Sequence, residues 1–561
     1  MSVSRRISAS TAASGSWLCA FALSVLLMLG LPGCEQASES PAAQPGESKE
    51  KIGVLPAAAA RPNIVMILVD ALRADRLGAY GHRGGLTPTM DSIAAAGVTF
   101  DHCVAPAPWT LPSVATLFTS YYPGVHKATS YRTVEDMEQG KRAYQSVLSD
   151  EFDTLAEVLQ AAGYQTVGFV ACKFLRAGYG FGQGFEHYDT DFADNTVRGE
   201  LVNAALFRWL DENRHASKPL FLYLHYMDVH GPYNAASRFM DPLLEEVEAN
   251  PNKQLLNSRE FSTLNRYLKQ APPSASDPDR YERLKGYREY WVARYEAGVM
   301  EMDFYLSQLV QRLQRTGLWD DAYVILLADH GEALCEHGKW DHGYSQFQTD
   351  LRVPLILRWP NVLPAGKRVR RLASLIDLMP TLLEQLRLPP GESLQGTSLV
   401  DHISDRLPDM PLMRFAEALK AGSRQYALFA EHTKLVATSL PPRRLPDGTT
   451  SEASARYQLF NLATDPDERY NISDQSPEVV KRLGQLMHKV LLTNMKTKPG
   501  LVVRKEVVDS ETARQLESLG YVGSTEDAND AADIPQPESQ PAGSPADDSA
   551  DDEDEPTDDE P

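Results

Sequence analysis

The sequence predicts an α/β fold built on a sheet whose central strands are buried on both faces, and three observations predict it. Four short apolar runs, at residues 64–69, 166–170, 220–224 and 323–327, are too brief for typical helices. The first, Ile64-Val65-Met66-Ile67-Leu68-Val69, is rich in β-branched residues, as suits a strand covered on both sides. Stretches of helical pattern separate the runs, and strands alternating with helices imply a sheet layered between helices. Asp70, Asp228 and Asp329 each follow an apolar run within a few residues. Ligands gather beyond the carboxyl ends of strands in such sheets, so this convergence marks the expected site.

In chain order, residues 1–34 read as a targeting segment and are set aside from the fold. Arg5 and Arg6 precede an apolar run at 17–31, and Leu31-Pro32-Gly33-Cys34 ends it. That ending resembles a bacterial lipobox, in which Cys34 is acylated after cleavage. A retained signal anchor is the alternative, although the run is short for a spanning helix. Both readings export the body. The lipobox reading anchors it to the bacterial envelope, at the outer membrane or the periplasmic face. Residues 35–60, rich in Ala, Pro, Ser and Glu, form a flexible tether.

The main α/β body spans 61–405. Within it, 240–318 is mostly helical in pattern, with a loop marked by Pro272-Pro273-Ser274-Ala275, and 234–290 is expected to wall the pocket. A smaller α+β subdomain at 406–525 includes a strand-like segment at 426–431 and a helix-like one at 477–492. Residues 526–561 hold fifteen Asp and Glu and no Lys or Arg, so most of the net charge of −21 belongs to this tail. With almost no large apolar residues, the tail is expected to be disordered. No basic patch dense enough for a nucleic-acid partner occurs. The body cysteines Cys103, Cys172 and Cys335 are odd in number and lack C-x-x-C spacing, which argues against a disulfide framework or zinc knuckle. One bridge stays open at this level.

Several polar residues sit where chemistry is expected. A carboxylate ending an apolar strand, as Asp70 does, needs a charged partner. Asp329 and His330 directly follow another buried strand. Two carboxylates and an imidazole make a mixed N/O site that suits Mn²⁺, Zn²⁺ or Mg²⁺ better than Ca²⁺. A histidine capping the turn before Gly331 is the plainer reading of His330. Pro112 fits the first turn of a helix through residues 113–118, whose amino end would direct amides and partial positive charge toward Thr110 and a bound anion. Thr110 is then either an N-cap or a hydroxyl nucleophile activated by a metal.

Six segments in order carry a family resemblance: Pro62-Asn63-Ile64-Val65 with Asp70-Ala71-Leu72-Arg73-Ala74-Asp75; Trp109-Thr110-Leu111-Pro112-Ser113; His225-Tyr226-Met227-Asp228-Val229-His230-Gly231-Pro232-Tyr233; Ala328-Asp329-His330-Gly331-Glu332 with Glu336-His337-Gly338 and His342-Gly343; Tyr457-Gln458-Leu459-Phe460-Asn461-Leu462 with Asp465-Pro466 and Glu468; and Leu519-Gly520-Tyr521-Val522-Gly523. Over about residues 61–523 the chain resembles the sulfatase family of the alkaline-phosphatase superfamily. The resemblance implies an alkaline-phosphatase-like central mixed sheet flanked by helices, with the catalytic domain at 61–405.

The pattern also departs from true sulfatases. Those enzymes oxidise a Cys or Ser at the Thr110 position to formylglycine, an aldehyde that threonine cannot yield. The Arg that follows Pro-Ser in that family is Val114, and the Gly-Lys-x-His motif has no clear match, although Lys173 lies in its region. The chain is more similar here to phosphoethanolamine transferases and lipoteichoic-acid synthases, which use a metal-bound Thr. That resemblance implies one divalent ion, Mn or Zn before Ca or Mg, held by Asp70, Thr110, Asp329 and His330. It implies His230 and His342 at the transferring group or leaving oxygen, and Lys173 as a further substrate contact. The expected function is hydrolysis or transfer of an anionic ester of a glycan, lipid or small molecule, with phosphate or phosphonate ahead of sulfate. A sulfatase working without formylglycine and a non-catalytic lipoprotein binding anionic glycans are the alternatives.

Overall fold

All four apolar runs form strands, Ile64–Val69, Gln165–Val170, Leu220–Tyr226 and Tyr323–Leu327, and every residue in them is buried. The third is longer than its apolar pattern because His225 and Tyr226 continue the pairing, at the cost of burying polar atoms. The computed structural model describes residues 61–129, 144–191, 198–215, 217–248, 288–389, 394–406, 412–420, 423–440, 454–498, 501–502 and 504–507. Cys34, the tether, the loop at 272–275, the motif at 519–523 and the acidic tail lie outside the described residues.

The main sheet has eight strands in the order Lys367–Val369, Val98–Phe100, Leu355–Arg358, Tyr323–Leu327, Ile64–Val69, Leu220–Tyr226, Gln165–Val170, His187–Asp189. Leu355–Arg358 runs antiparallel to both its neighbours and the other pairings are parallel, so the sheet is mixed. Ile64–Val69 lies at its centre, between Leu220–Tyr226, which carries His225, and Tyr323–Leu327, which stops just before Asp329. Helices cover the sheet. Among them Thr110–Thr119 is buried along its whole length, its hydroxyl side chains Thr110, Ser113, Thr116 and Thr119 each hydrogen-bonded.

A four-stranded antiparallel sheet, Met413–Lys420, Ser423–Ala430, Thr433–Leu440 and Ser454–Asn461, follows and packs on the helix Pro477–Lys496. The strand-like segment at 426–431 therefore stops one residue early. Glu431 takes a left-handed backbone (φ 54°) and opens the turn to the next strand. This small core also takes in Tyr122 and Ile376 from the main body. At this seam Glu468 Oε2 accepts the Gln348 amide of the main body at 2.6 Å, and within the subdomain Lys434 Nζ lies 2.5 Å from Glu468 Oε1. Both charged side chains are buried, so each depends on the other. Cys103, Cys172 and Cys335 are all free thiols, which removes the bridge left open by the sequence.

Removing one member of the buried Lys434–Glu468 pair strands the other. Lys434→Met is expected to lower unfolding stability in urea by about 3–5 kcal/mol, while the double change Lys434→Met with Glu468→Leu recovers most of it. Equal losses in single and double variants would count against this account of the seam.

Candidate metal and active site

The site is built by strand register. Leu68 pairs with Leu327 on one side and His225 on the other, so Asp70 and Asp329, each two residues further on, leave adjacent strands at the same level. Ala71 then turns the chain in a left-handed conformation (φ 59°), fixed by its carbonyl accepting from Tyr295 and its amide donating to Asp329 Oδ1 at 3.3 Å. Asp329 Oδ1 also accepts the His330 amide at 2.9 Å. Backbone amides thus occupy one oxygen of Asp329 and leave Oδ2 for another partner.

His330 Nδ1 lies 2.8 Å from the Gly331 carbonyl, which requires that nitrogen to carry the hydrogen. Nε2 is then a lone-pair donor, 3.3 Å from Asp70 Oδ1, 3.5 Å from Asp329 Oδ2 and 3.2 Å from Thr110 Oγ1. Thr110 Oγ1 is also 3.3 Å from Asp70 Oδ2. Thr110 opens its helix as the first helical residue, one position inside the N-cap role, and the helix starts earlier than the 113–118 pattern. Ser113 on the next turn donates to the Asp329 carbonyl at 2.6 Å and ties helix to strand end. All four of Asp70, Thr110, Asp329 and His330 have no exposed surface.

These residues fit a divalent cation. Asp70 Oδ1 and Asp329 Oδ2 are buried without a hydrogen-bond partner among the described residues, and both face one imidazole nitrogen. Orphaned carboxylate oxygens in a core are costly, and a cation resolves both at once. Protonation reports the same demand for positive charge. Burial and then the Asp70 charge push the Asp329 carboxyl well above its ordinary range. Burial opposes the charged form of His330, but Asp329 outweighs it and raises the imidazole. Burial also opposes Asp70, yet the imidazoles beside it, His230 and then His330, bring the carboxyl below its ordinary range.

Two more histidines close over the cluster. His342 stacks at 4.3 Å between ring centroids from His330 and lies 4.8 Å from His230. Its Nδ1 sits 3.1 Å from Glu332 Oε1 and 3.0 Å from Asp341 Oδ1. Burial opposes its charge, but these two carboxylates raise it well above the ordinary histidine range. His230 donates Nδ1–H to the Gly231 carbonyl at 2.8 Å, and burial lowers it despite Asp70. The pair is thus split into a cationic His342 and a neutral His230. Lys173 is buried in the turn Lys173–Leu175.

Other polar residues find structural work. Both oxygens of Asp228 accept the Gly199 amide and fix a helix start. His126 bonds Thr116 at 3.0 Å, and burial holds it neutral, down to about 3. Glu332 serves His342 more than the Asp-His loop. His337 stacks on Phe347. Sequence reasoning missed His225 and Cys172 beside Asp70, since only register brings them there. Two cavities of about 650 and 770 Å³ run along the seam, both lined by Arg352 and Gln348, and Thr110 does not line either. Chemistry, not cavity size, identifies the site.

Comparison with known proteins agrees with this layout. The sulfatase family model matches residues 62–388, and the model of the C-terminal part of N-sulphoglucosamine sulphohydrolase matches 335–496. An N-acetylglucosamine-6-O-sulfatase of Bacteroides thetaiotaomicron is 24% identical over 527 residues, covering 81% of this chain and 90% of its own. A protein solved in complex with its substrate D-glucosamine-2-N,6-O-disulfate superposes with a TM-score of 0.60 at 20% identity, covering 78% of this chain and 99% of that one. The phosphonate monoester hydrolase of Agrobacterium radiobacter gives 0.58 at 22%, covering 77% and 95%. With its family model matched over most of the described body, the chain belongs to the sulfatase family of enzymes.

Proposed function

We propose that the chain is a metal-dependent hydrolase or transferase of phosphate or phosphonate esters, with Thr110 as nucleophile. The observation that carries this reading is the Thr110 hydroxyl within hydrogen-bond distance of both Asp70 and His330, inside the ligand cluster. Similarity to phosphonate monoester hydrolases as well as sulfatases supports phosphorus esters as substrates. Val114 follows Ser113, so no arginine follows Pro-Ser at the nucleophile as it does in the formylglycine pattern.

Asp70, Asp329, His330 and Thr110 would hold the cation, with Mn²⁺ or Zn²⁺ suited to this N/O donor set. When bound, the cation lowers the Thr110 hydroxyl pKa and offsets charge on the transferring group. Thr110 Oγ1 gives its proton to Nε2 of the neutral His230 and attacks phosphorus, and the bond from phosphorus to the leaving oxygen breaks. The cationic His342, held by Glu332 and Asp341, donates a proton to that oxygen. With Nδ1–H given to Gly231, His230 Nε2 carries the lone pair that takes the Thr110 proton, and once protonated it donates to the non-bridging oxygens. Water or an alcohol then attacks the phosphothreonine and gives a proton to His342, the bond from phosphorus to Oγ1 breaks, and Thr110 regains its proton from His230.

The decisive assay compares aryl phosphodiester, phosphonate monoester, phosphate monoester and sulfate ester with Mn²⁺ or Zn²⁺ supplied. Phosphorus esters are expected to turn over fastest, and Thr110→Ala to lower kcat by about a thousandfold or more. A faster sulfate ester would instead support a sulfatase that works without formylglycine, and no turnover at all would support an anionic-glycan binder.

His342→Gln removes the proton donor but keeps a polar side chain. It is expected to slow esters with alkyl leaving groups by about 10²–10⁴-fold and aryl esters much less. Equal losses for both would remove His342 from proton donation.

Because the Asp329 carboxyl and the His330 imidazole are both raised, metal and protons compete for them. Mn²⁺ affinity measured by calorimetry should rise with pH, by about tenfold per unit where one proton is displaced, and should level off once both groups are deprotonated. Affinity independent of pH would contradict this ligand set.

A further inference from the structure

A second group of ligand-type side chains meets at Asp70, and none of the chemistry above uses it. Val170 pairs with His225 across the sheet, and His225 pairs with Leu68 on its other side. Cys172 and Asp70 each lie two residues beyond those partners. Register therefore brings a thiol sulfur, an imidazole nitrogen and a carboxylate oxygen within 4.8 Å of one another, from three residues with no exposed surface.

The interior around them is not satisfied by protein alone. Neither ring nitrogen of His225 has a hydrogen-bond partner among the described residues. The hydroxyl of Tyr223, on the same face of the strand, has none either. His225 Nε2 lies 3.5 Å from Asp70 Oδ2, beyond the reach of a charge-assisted hydrogen bond. That spacing matches tetrahedral ligands around zinc, which bonds of about 2.0–2.3 Å hold roughly 3.3–3.7 Å apart. A sulfur, an imidazole and a carboxylate are also the donor set that selects zinc over the harder Mg²⁺ or Ca²⁺. The thiol loses its proton to solvent when the ion binds.

We propose that Asp70, Cys172 and His225 form a second zinc site, with Asp70 bridging to the cation of the Asp329–His330 cluster. It shares Asp70 with the proposed catalytic site, but its own donors, Cys172 and His225, are separate. A cation there satisfies His225 and holds the Asp70 carboxylate between two positive charges, which fixes its direction. The bridge also makes occupancy of one site sensitive to the other.

The test uses the purified full-length chain, loaded with Zn²⁺ for metal analysis and with Co²⁺ for absorption spectroscopy. Two zinc ions per chain are expected, together with a thiolate-to-cobalt charge-transfer band, which a site of only oxygen and nitrogen ligands cannot produce. Cys172→Ser and His225→Ala should each lose one zinc, and Cys172→Ser should lose the band. Replacement of any other cysteine should keep it. Asp329→Asn with His330→Ala should lose the other zinc and keep the band, so failure of the catalytic reading leaves this result intact. One zinc per chain with no band in the unaltered protein overturns the proposal, whatever the variants do. So does a band that survives in a Cys172→Ser protein whose melting curve shows it folded.

Discussion

The structure depends on one electrostatic constraint, the meeting of the Asp70 and Asp329 carboxylates at the ends of adjacent buried strands. Two like charges in a core without water repel, and each has an oxygen without a partner among the described residues. Only added positive charge makes the arrangement stable, as protons or as a cation. The surrounding residues follow from that need. His330 turns a lone pair inward by giving its other nitrogen to a backbone carbonyl, and Thr110 offers a hydroxyl to the same centre.

The second layer sets protonation. Glu332 and Asp341 share the Nδ1 of His342 and keep that ring charged against the pull of burial. His230, 4.8 Å away between ring centroids, is lowered by burial, which outweighs the Asp70 and Glu332 carboxylates. Two histidines of the same intrinsic basicity thereby take different roles, and environment alone separates them. Arg73 links this layer to the fold, since it bonds the Glu332 carbonyl and pairs with Asp75 and Glu336. Its guanidinium offsets acidic charge near the site without entering it.

The C-terminal sheet contributes by closure. The Lys434–Glu468 pair and the Glu468 contact to the Gln348 amide hold the segment that leads back from the Asp-His loop. Gly331 within that loop lies so close to Thr349 that a side chain would strike its carbonyl, 2.0 Å from an added Cβ. The tight approach explains why glycine follows His330. It also carries the Gly331 carbonyl to the Nδ1 it must accept from.

Much of this was legible in the residues themselves. Buried strands declare themselves by short β-branched runs, so the sheet, its layering and the strand-end positions of Asp70 and Asp329 followed from pattern. The ordered motifs identified the family and grouped Thr110, His330, His230 and His342 before any distance was known. What the pattern left undetermined were the contacts that depend on register between distant segments. Glu332 reaches His342 through a folded-back loop, Asp228 serves a helix start, and Cys172 and His225 converge on Asp70 from two different strands. Such contacts join residues far apart in the chain, and their spacing is set by hydrogen bonding between strands. The sequence by itself determined which residues end the strands; only the tertiary structure decided which of those ends face one another.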